Sequence, residues 1–258
     1  MSILAVENLS LLLGGKRVLD GVTARFAPGR VTALLGPNGA GKSSLLACLA
    51  ALQAPATGRA MLGDRSIGAV TAQERARRIG FLPQAADVHW NIDVATLVGL
   101  GRLPWRGRWG ETATDRAAVA QALAATGMAD FATRGVEHLS GGERARALLA
   151  RVLAGQPEWL LADEPLASLD PAHQLEVGAQ LRAVAAAGGG VVLVVHDLNL
   201  AARLADDVVL LRDGRVVASG PADETLSAAL VGETFGLSVE IGATATGQRY
   251  IVPVGRPV

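Results

Sequence analysis

Gly36-Pro37-Asn38-Gly39-Ala40-Gly41-Lys42-Ser43-Ser44 is the stretch on which the reading of this chain turns. It fits the pattern G-x-x-x-x-G-K-[ST], in which glycines let successive backbone N–H groups turn inward around phosphate oxygens. The positive end of the following helix faces the same point. Lys42 is one of two lysines, with Lys16, among 24 basic residues. Where arginine serves almost everywhere else, a retained lysine marks a need for a compact point charge, here at the β and γ phosphates. Ser43 would offer its hydroxyl to Mg²⁺. The apolar run Val31-Thr-Ala-Leu-Leu35 just upstream reads as the buried strand from which such a loop departs. The loop by itself leaves kinases, GTPases and ATPases open.

Half of the 258 residues are hydrophobic by type, enough for one large domain or a domain with an inserted subdomain. The formal charge is zero, which argues against a nucleic-acid partner. Mean hydropathy is positive, yet no run approaches the ~20 apolar residues that a spanning helix needs. Val191-Val-Leu-Val-Val195 is a clean run of strand length only. The opening Met1-Ser-Ile-Leu-Ala-Val-Glu7 lacks a basic segment and meets an acid early, so it reads as a first strand and not a signal peptide. The protein is expected to stay in the cytoplasm. Cys48 is the only cysteine and cannot form an internal disulfide. With Leu45, Leu49 and Leu52 it is expected on one helix face, as a small buried hydrophobe.

Residues 3–35 alternate short apolar stretches with turn signals, which suggests an antiparallel entry sheet leading into the core strand. A helix is expected over 42–53. Residues 93–154 carry helical spacing, including 115–126 and 142–154, and read as a helical insertion. From Trp159 the pattern returns to strand (160–163), helix (171–187), strand (191–195) and strand (208–211), the alternation of a parallel sheet covered by helices. The end of the chain reads as a hairpin added to the core.

Trp159-Leu-Leu-Ala-Asp163-Glu164 is an apolar strand ending in two carboxylates, where a parallel sheet presents its carboxyl edge to the phosphate loop. Asp163 would hold Mg²⁺ through its water shell, and Glu164 would polarise an attacking water. A surface acid pair ending a strand is the bland alternative. His196 also follows a buried strand and would reach the same edge, close to a γ-phosphate. Leu139-Ser140-Gly141-Gly142-Glu143 stands before a helix and upstream of the carboxylate strand.

Phosphate loop, Gln84, Ser140-Gly-Gly, Asp163-Glu164, Ser168-Leu-Asp170 and His196, in that order, resemble the nucleotide-binding subunit of ABC transporters over essentially the whole chain. The resemblance implies an α/β fold: a P-loop NTPase (RecA-like) core, an N-terminal antiparallel β subdomain and an inserted α-helical subdomain. Residues 1–258 would form one ABC ATPase domain, with 1–88 and 155–258 as nucleotide-binding core and 89–154 as the helical signature subdomain. ATP and Mg²⁺ are the implied ligands. By position, Glu164, His196 and Gln84 take catalytic roles, and Ser43, Gln84 and Asp163 face the metal. Gly36, Pro37, Asn38, Gly39, Ala40, Gly41, Lys42, Ser43 and Ser44 hold the phosphates, with Leu13 beside the base. Ser140, Gly141 and Gly142 would bind the γ-phosphate held by a second copy of the chain, and Asp170 would cross to that copy. The implied assembly is a head-to-tail homodimer closed by ATP, on two integral-membrane permease subunits and, indirectly, an extracytoplasmic substrate-binding protein. It would sit peripherally at the cytoplasmic face of the inner (plasma) membrane.

Two positions depart from the family pattern. Glu143 replaces the usual glutamine, which makes Ser140-Gly-Gly-Glu143 also a capping box; this cap is expected to hold the open state and to give way to ATP. Leu13 stands where an aromatic usually stacks on adenine, so base contact there is apolar without a π-face. The segments Val94 to Arg102, His196 to Ala202 and Glu233-Thr-Phe-Gly236 with the final hairpin resemble the importer branch for iron chelates, haem and cobalamin, with iron–siderophore as the first expectation for cargo. Three of the four tryptophans, Trp90, Trp105 and Trp109, fall in a region read either as a packed helical subdomain or as the permease dock. A soluble ABC ATPase, such as a cluster-assembly component, is the alternative. A P-loop kinase would not need Leu139-Ser-Gly-Gly.

Overall fold

The structure, a computed structural model, describes residues 2–84, 92–107, 110–167 and 169–256. Strands β1 (Leu4–Leu13) and β2 (Lys16–Phe26) pair antiparallel through the turn at Gly14-Gly15, both at positive φ. The chain enters a second sheet as β3 (Val31–Leu35), passes the glycine-rich loop and forms α1 (Lys42–Leu49). It returns to the first sheet as β4 (Thr57–Leu62) and the two-residue β5 (Arg65–Ser66), giving the order β2-β1-β4-β5. Helix α2 (Ala72–Arg78) leads into β6 (Ile79–Leu82). Helices α3 (Val94–Gly99), α4 (Ala113–Ala125) and α5 (Gly141–Ala154) follow before any further strand. The 88/89 boundary expected for the helical subdomain lies outside the described residues.

From there strands and helices alternate. They are β7 (Trp159–Asp163), α6 (Pro171–Ala186), β8 (Gly190–Val194), α7 (Leu198–Leu204) and β9 (Asp207–Arg212). Strand β10 (Arg215–Pro221), short helices α8 (Ala222–Thr225) and α9 (Ala228–Phe235) and the hairpin β11 (Ser238–Ala243)–β12 (Arg249–Gly255) complete the chain. The second sheet runs β10-β9-β3-β8-β7-β6, parallel except for β10 on its edge. This is the expected RecA-like core with an antiparallel subdomain beside it. No helix among the described residues is long and apolar enough to cross a membrane.

Strands β3, β7 and β8 are buried along their whole length, as strands covered on both faces must be. Alternation divides their side chains between two cores. Ala33, Leu35, Leu160, Ala162 and Leu193 join the helices α3, α5 and α6, whereas Leu34, Trp159, Leu161, Val192 and Val194 join α1 and the antiparallel sheet. The sheet therefore holds the phosphate-loop helix on one face and the helical segment on the other. Gly190 lies so close to Trp159 that a Cβ there would come 2.2 Å from the indole ring.

Two expectations need correction. The first helix ends at Leu49 and not near Gln53, because Ala51 turns into the left-handed region (φ 53°) and Leu52 N–H reaches back to Ala47 O at 2.9 Å. Cys48, Leu45 and Leu49 are buried together, but Leu52 is thrown out to solvent, 64% exposed. Burial pushes the Cys48 thiol up to about 11, as suits a packing residue. Strands β4 and β5, which complete the antiparallel sheet, were not expected.

Within the helical segment, Arg102 and Asp115 form an ion pair at 2.8 Å with both side chains buried. Arg102 also donates to Ala154 O, tying the start of α4 to the end of α5. Asp115 further accepts from Thr112 N and Oγ1, closing a capping box at the head of α4. Arg102 and then the Thr112 donors lower the Asp115 carboxyl from 3.8 to about 2. A carboxyl that ionises more readily when folded stabilises fully above its unfolded value and loses that contribution as pH falls through the folded value. Asp115→Asn is therefore expected to be less stable than the parent at neutral pH, with the gap closing between about pH 4 and pH 2, as urea unfolding at stepped pH would measure.

Candidate functional site

Every element needed for a phosphate cradle converges at the carboxyl edge of the parallel sheet. Gly36 follows β3 with φ 152°, and a Cβ on it would lie 2.0 Å from Leu211 O, so only glycine lets the loop pass β9. A Cβ on Gly41 (φ 96°) would lie 2.6 Å from the Leu19 side chain and 2.9 Å from Val18 O of β2. Gly214 N–H donates to Ala40 O, and Gly214 O accepts from Asp20 N, which fastens the loop between the two sheets. Helix α1 has Gly41 as its N-cap, with no side-chain cap and no acid in its first turn, leaving its N–H groups directed at an incoming anion.

Lys42 is 5% exposed and donates to Gly36 O at 2.8 Å and Pro37 O at 2.9 Å. Burial lowers its pKa, and the nearby carboxylates Glu164 and Asp163 act in the opposite direction. Ser43 Oγ donates to Asp163 Oδ1 at 3.1 Å across the gap between α1 and the end of β7. Burial raises the Asp163 carboxyl, against the Ser43 hydrogen bond.

Glu164 takes a left-handed conformation (φ 51°), which costs a non-glycine residue about 1–2 kcal/mol. Its N–H donates to Val194 O on the neighbouring strand. That twist carries the carboxylate over the loop, where Gln84 Nε2 donates to Oε2 at 2.8 Å and His196 Nε2 meets Oε1 at 2.5 Å. Gln84 comes from the end of β6 and His196 from the end of β8, so the three meet only through strand order. A cavity of about 490 Å³ opens here, lined by Asn38, Gly39, Gly41, Lys42, Ser43 and Ser44 on the loop side and by Gln84, Glu164 and His196 on the other.

Val18 lines the same cavity and was missed by the sequence reading; its only signal is its place in the strand that abuts the loop. Leu13 does not line it: the residue ends β1 opposite Lys16, half-exposed. Gly36, Pro37 and Ala40 support the loop from behind, with Ala40 buried.

Ser140, Gly141, Gly142 and Asp170 do not reach this cavity. Ser140 caps α5, with Glu143 N–H donating to Ser140 Oγ and Ser140 N–H donating to Glu143 Oε2 at 2.7 Å, so the capping box is formed. The Ser140 backbone N–H leads the groups that hold the Glu143 carboxyl below its usual range. Asp170 caps α6 through Ala172 and His173 N–H and pairs with His173 Nδ1 at 2.6 Å. Ser168 lies outside the described residues, as do Trp90 and Trp109. Trp105 is 38% exposed but anchored on its own chain: Arg77 and Arg102 each stack on its ring at 4.9 Å, and its indole N–H donates to Gly155 O.

A glycine cradle, a buried lysine, a serine–aspartate pair and a strand-end glutamate on a RecA-like sheet define a P-loop nucleotide-binding protein. The profile described as ABC transporter matches residues 19–167. The hemin import ATP-binding protein HmuV of Streptomyces coelicolor is 46% identical over 98% of this chain and 90% of its own length. That of Bordetella pertussis is 40% identical over 94% and 95%. Among solved structures, the inward-facing conformation of a transporter assigned to the metal-chelate ABC type is similar at TM-score 0.85 and 26% identity, covering 98% of both chains. A dimeric bacterial ABC transporter cassette matches at TM-score 0.76 and 25% identity, over 85% of this chain and 98% of its own. The chain belongs to the ABC transporter family, as an ATP-binding subunit of the importer branch.

The two loop carbonyls that hold Lys42 suit a compact ammonium on a flexible stem, which a planar guanidinium does not reproduce. Lys42→Arg, although it keeps the charge, is expected to weaken ATP binding by at least about tenfold, and Lys42→Ala by more, measured with a fluorescent ATP analogue. Binding unchanged in Lys42→Arg would contradict the need for a compact point charge.

Proposed function

We propose that this chain hydrolyses ATP to drive uptake of haem through a membrane permease, acting as a head-to-tail dimer at the cytoplasmic face of the membrane. The observation that carries hydrolysis is the capture of both Glu164 oxygens, by Gln84 and His196, at the mouth of the Lys42–Ser43 cradle. A carboxylate fixed there orients a water toward the γ-phosphate and accepts its proton. Lys42 exchanges its loop carbonyls for phosphate oxygens, and the free N–H groups of α1 hold the rest of the charge. The oxygen donors Ser43, Asp163 and Gln84 suit Mg²⁺, which when bound neutralises charge on the β and γ phosphates.

Because the helix capped by Ser140 lies away from its own chain's cavity, its N-terminus can serve the nucleotide of a second copy. Asp170 would meet that copy at the same interface. The likeness to a dimeric cassette supports this arrangement. A groove of about 490 Å³ beside α3, lined by residues including Asp93, Thr96, Arg106, Glu111 and Arg116, is the proposed dock for a cytoplasmic helix of the permease. Its mixed charges, with Glu111 near both Arg106 and Arg116, suit a polar interface.

The names of the relatives in Streptomyces and Bordetella favour haem as cargo over the iron–siderophore expected from sequence, with cobalamin behind through a 41% identical relative in Halobacterium. Glu164→Gln is expected to lower ATP turnover by at least about 100-fold while ATP binding survives; retained turnover would remove Glu164 from the chemistry. In proteoliposomes holding the cognate permease, binding protein loaded with haem is expected to stimulate turnover. Stimulation only by siderophore- or cobalamin-loaded protein would reassign the cargo.

A further inference from the structure

His196 directly precedes Asp197, the cap of α7, and the start of that helix is pinned from two directions. Asp197 Oδ1 accepts from Asn199 N at 2.7 Å and Leu200 N at 3.1 Å, which closes the first turn directly behind the histidine. The Asn199 side chain then reaches out of the helix to the C-terminal hairpin. Its Oδ1 accepts from Ile251 N at 2.7 Å, and its Nδ2 donates to Ile251 O at 3.2 Å. One amide thus satisfies both main-chain groups of a strand residue, as a neighbouring strand would, and only one orientation of the amide can do so.

The hairpin is itself firmly seated. Ile251 is 1% exposed, and Val239 and Ile241 pack against the same core. Arg249 donates to Asp223 O and Leu226 O around α8. A rigid hairpin joined through two hydrogen bonds to the first turn after His196 is a backstop for that histidine.

We propose that Asn199 is a positioning residue, through which the C-terminal hairpin sets the placement of His196 against Glu164. The proposal rests on the hydrolytic reading above, but it concerns residues outside the nucleotide cavity. The second hydrogen bond to Ile251 distinguishes it from a simple helix-start residue, because Asp197 already supplies the cap. Loss of the clamp leaves the cradle of Lys42 and Ser43 intact and frees the His196 end of α7 to shift by a fraction of an ångström.

The test uses the full-length chain with Asn199→Ala and Asn199→Asp, the second keeping the acceptor for Ile251 N–H and losing the donor. Asn199→Ala is expected to lower kcat about tenfold, because small misplacements of reacting groups are costly, with ATP affinity unchanged within about twofold. Asn199→Asp should fall between Asn199→Ala and the parent, and decides the matter if Asn199→Ala does not fold. In a His196→Ala background, followed by single-turnover hydrolysis, either change should bring no further loss, since its effect passes through the missing imidazole. Equal losses in both backgrounds, an unchanged kcat, or a parallel loss of ATP affinity would each overturn the proposal. Turnover of the parent chain, with its loss in Glu164→Gln, judges the hydrolytic reading separately.

Discussion

The burial of one ammonium group organises this molecule. Lys42 sits almost out of solvent, held by the carbonyls of Gly36 and Pro37. A cation placed there is tolerable only with hydrogen-bond acceptors in hand and anions near by. The loop carbonyls supply the first, and Asp163 and Glu164 at the end of β7 supply the second. Bringing the loop so close to β9 and β2 requires glycine at 36 and 41, and bringing the carboxylates requires β7 two places from β3 across β8. The sheet order, the glycine positions and the acid pair are thus parts of one electrostatic solution.

Glu164 shows how the same edge is adapted to chemistry. Ending the strand in an unstrained conformation would point the carboxylate elsewhere, so the backbone accepts a left-handed residue that the hydrogen bond to Val194 O helps to hold. Gln84 and His196 then grip the two oxygens from opposite strands. The arrangement binds three separate loops at one carboxylate, which makes the site responsive to any element that moves one of them. His196, for one, is tied through α7 to the terminal hairpin.

Much of this was legible in the chain because the relevant chemistry is local. A glycine-rich loop between a buried strand and a helix, a serine and a glutamate three residues apart at a helix start, and acids ending an apolar strand are each written within a few positions, and each formed as expected. Where contacts come from far along the chain, the reading ran short. Strand β4 shows only half a face of apolar residues and becomes a strand by pairing with β1. Val18 reaches the cavity because β2 abuts the loop, whereas Leu13 lies at the outer end of its own strand. Leu52 had helical spacing but lies beyond the left-handed turn at Ala51. Trp105 keeps an exposed edge, as its sequence suggested, but the two arginines from different segments that stack on its ring are a contact no local pattern announced.

The sequence by itself determined the class of fold, the phosphate-binding loop and the identities of the acids and histidine around it, because backbone freedom, charge and hydrophobic period act over short spans. Only the tertiary structure decided how those groups meet. The Gln84–Glu164–His196 cluster depends on the order of parallel strands, the buried Arg102–Asp115 pair on the folding of the helical segment, and the Asn199–Ile251 clamp on a hairpin that returns from 52 residues away. Such contacts are selected by the closing of the whole chain on its core, and no local pattern encodes them.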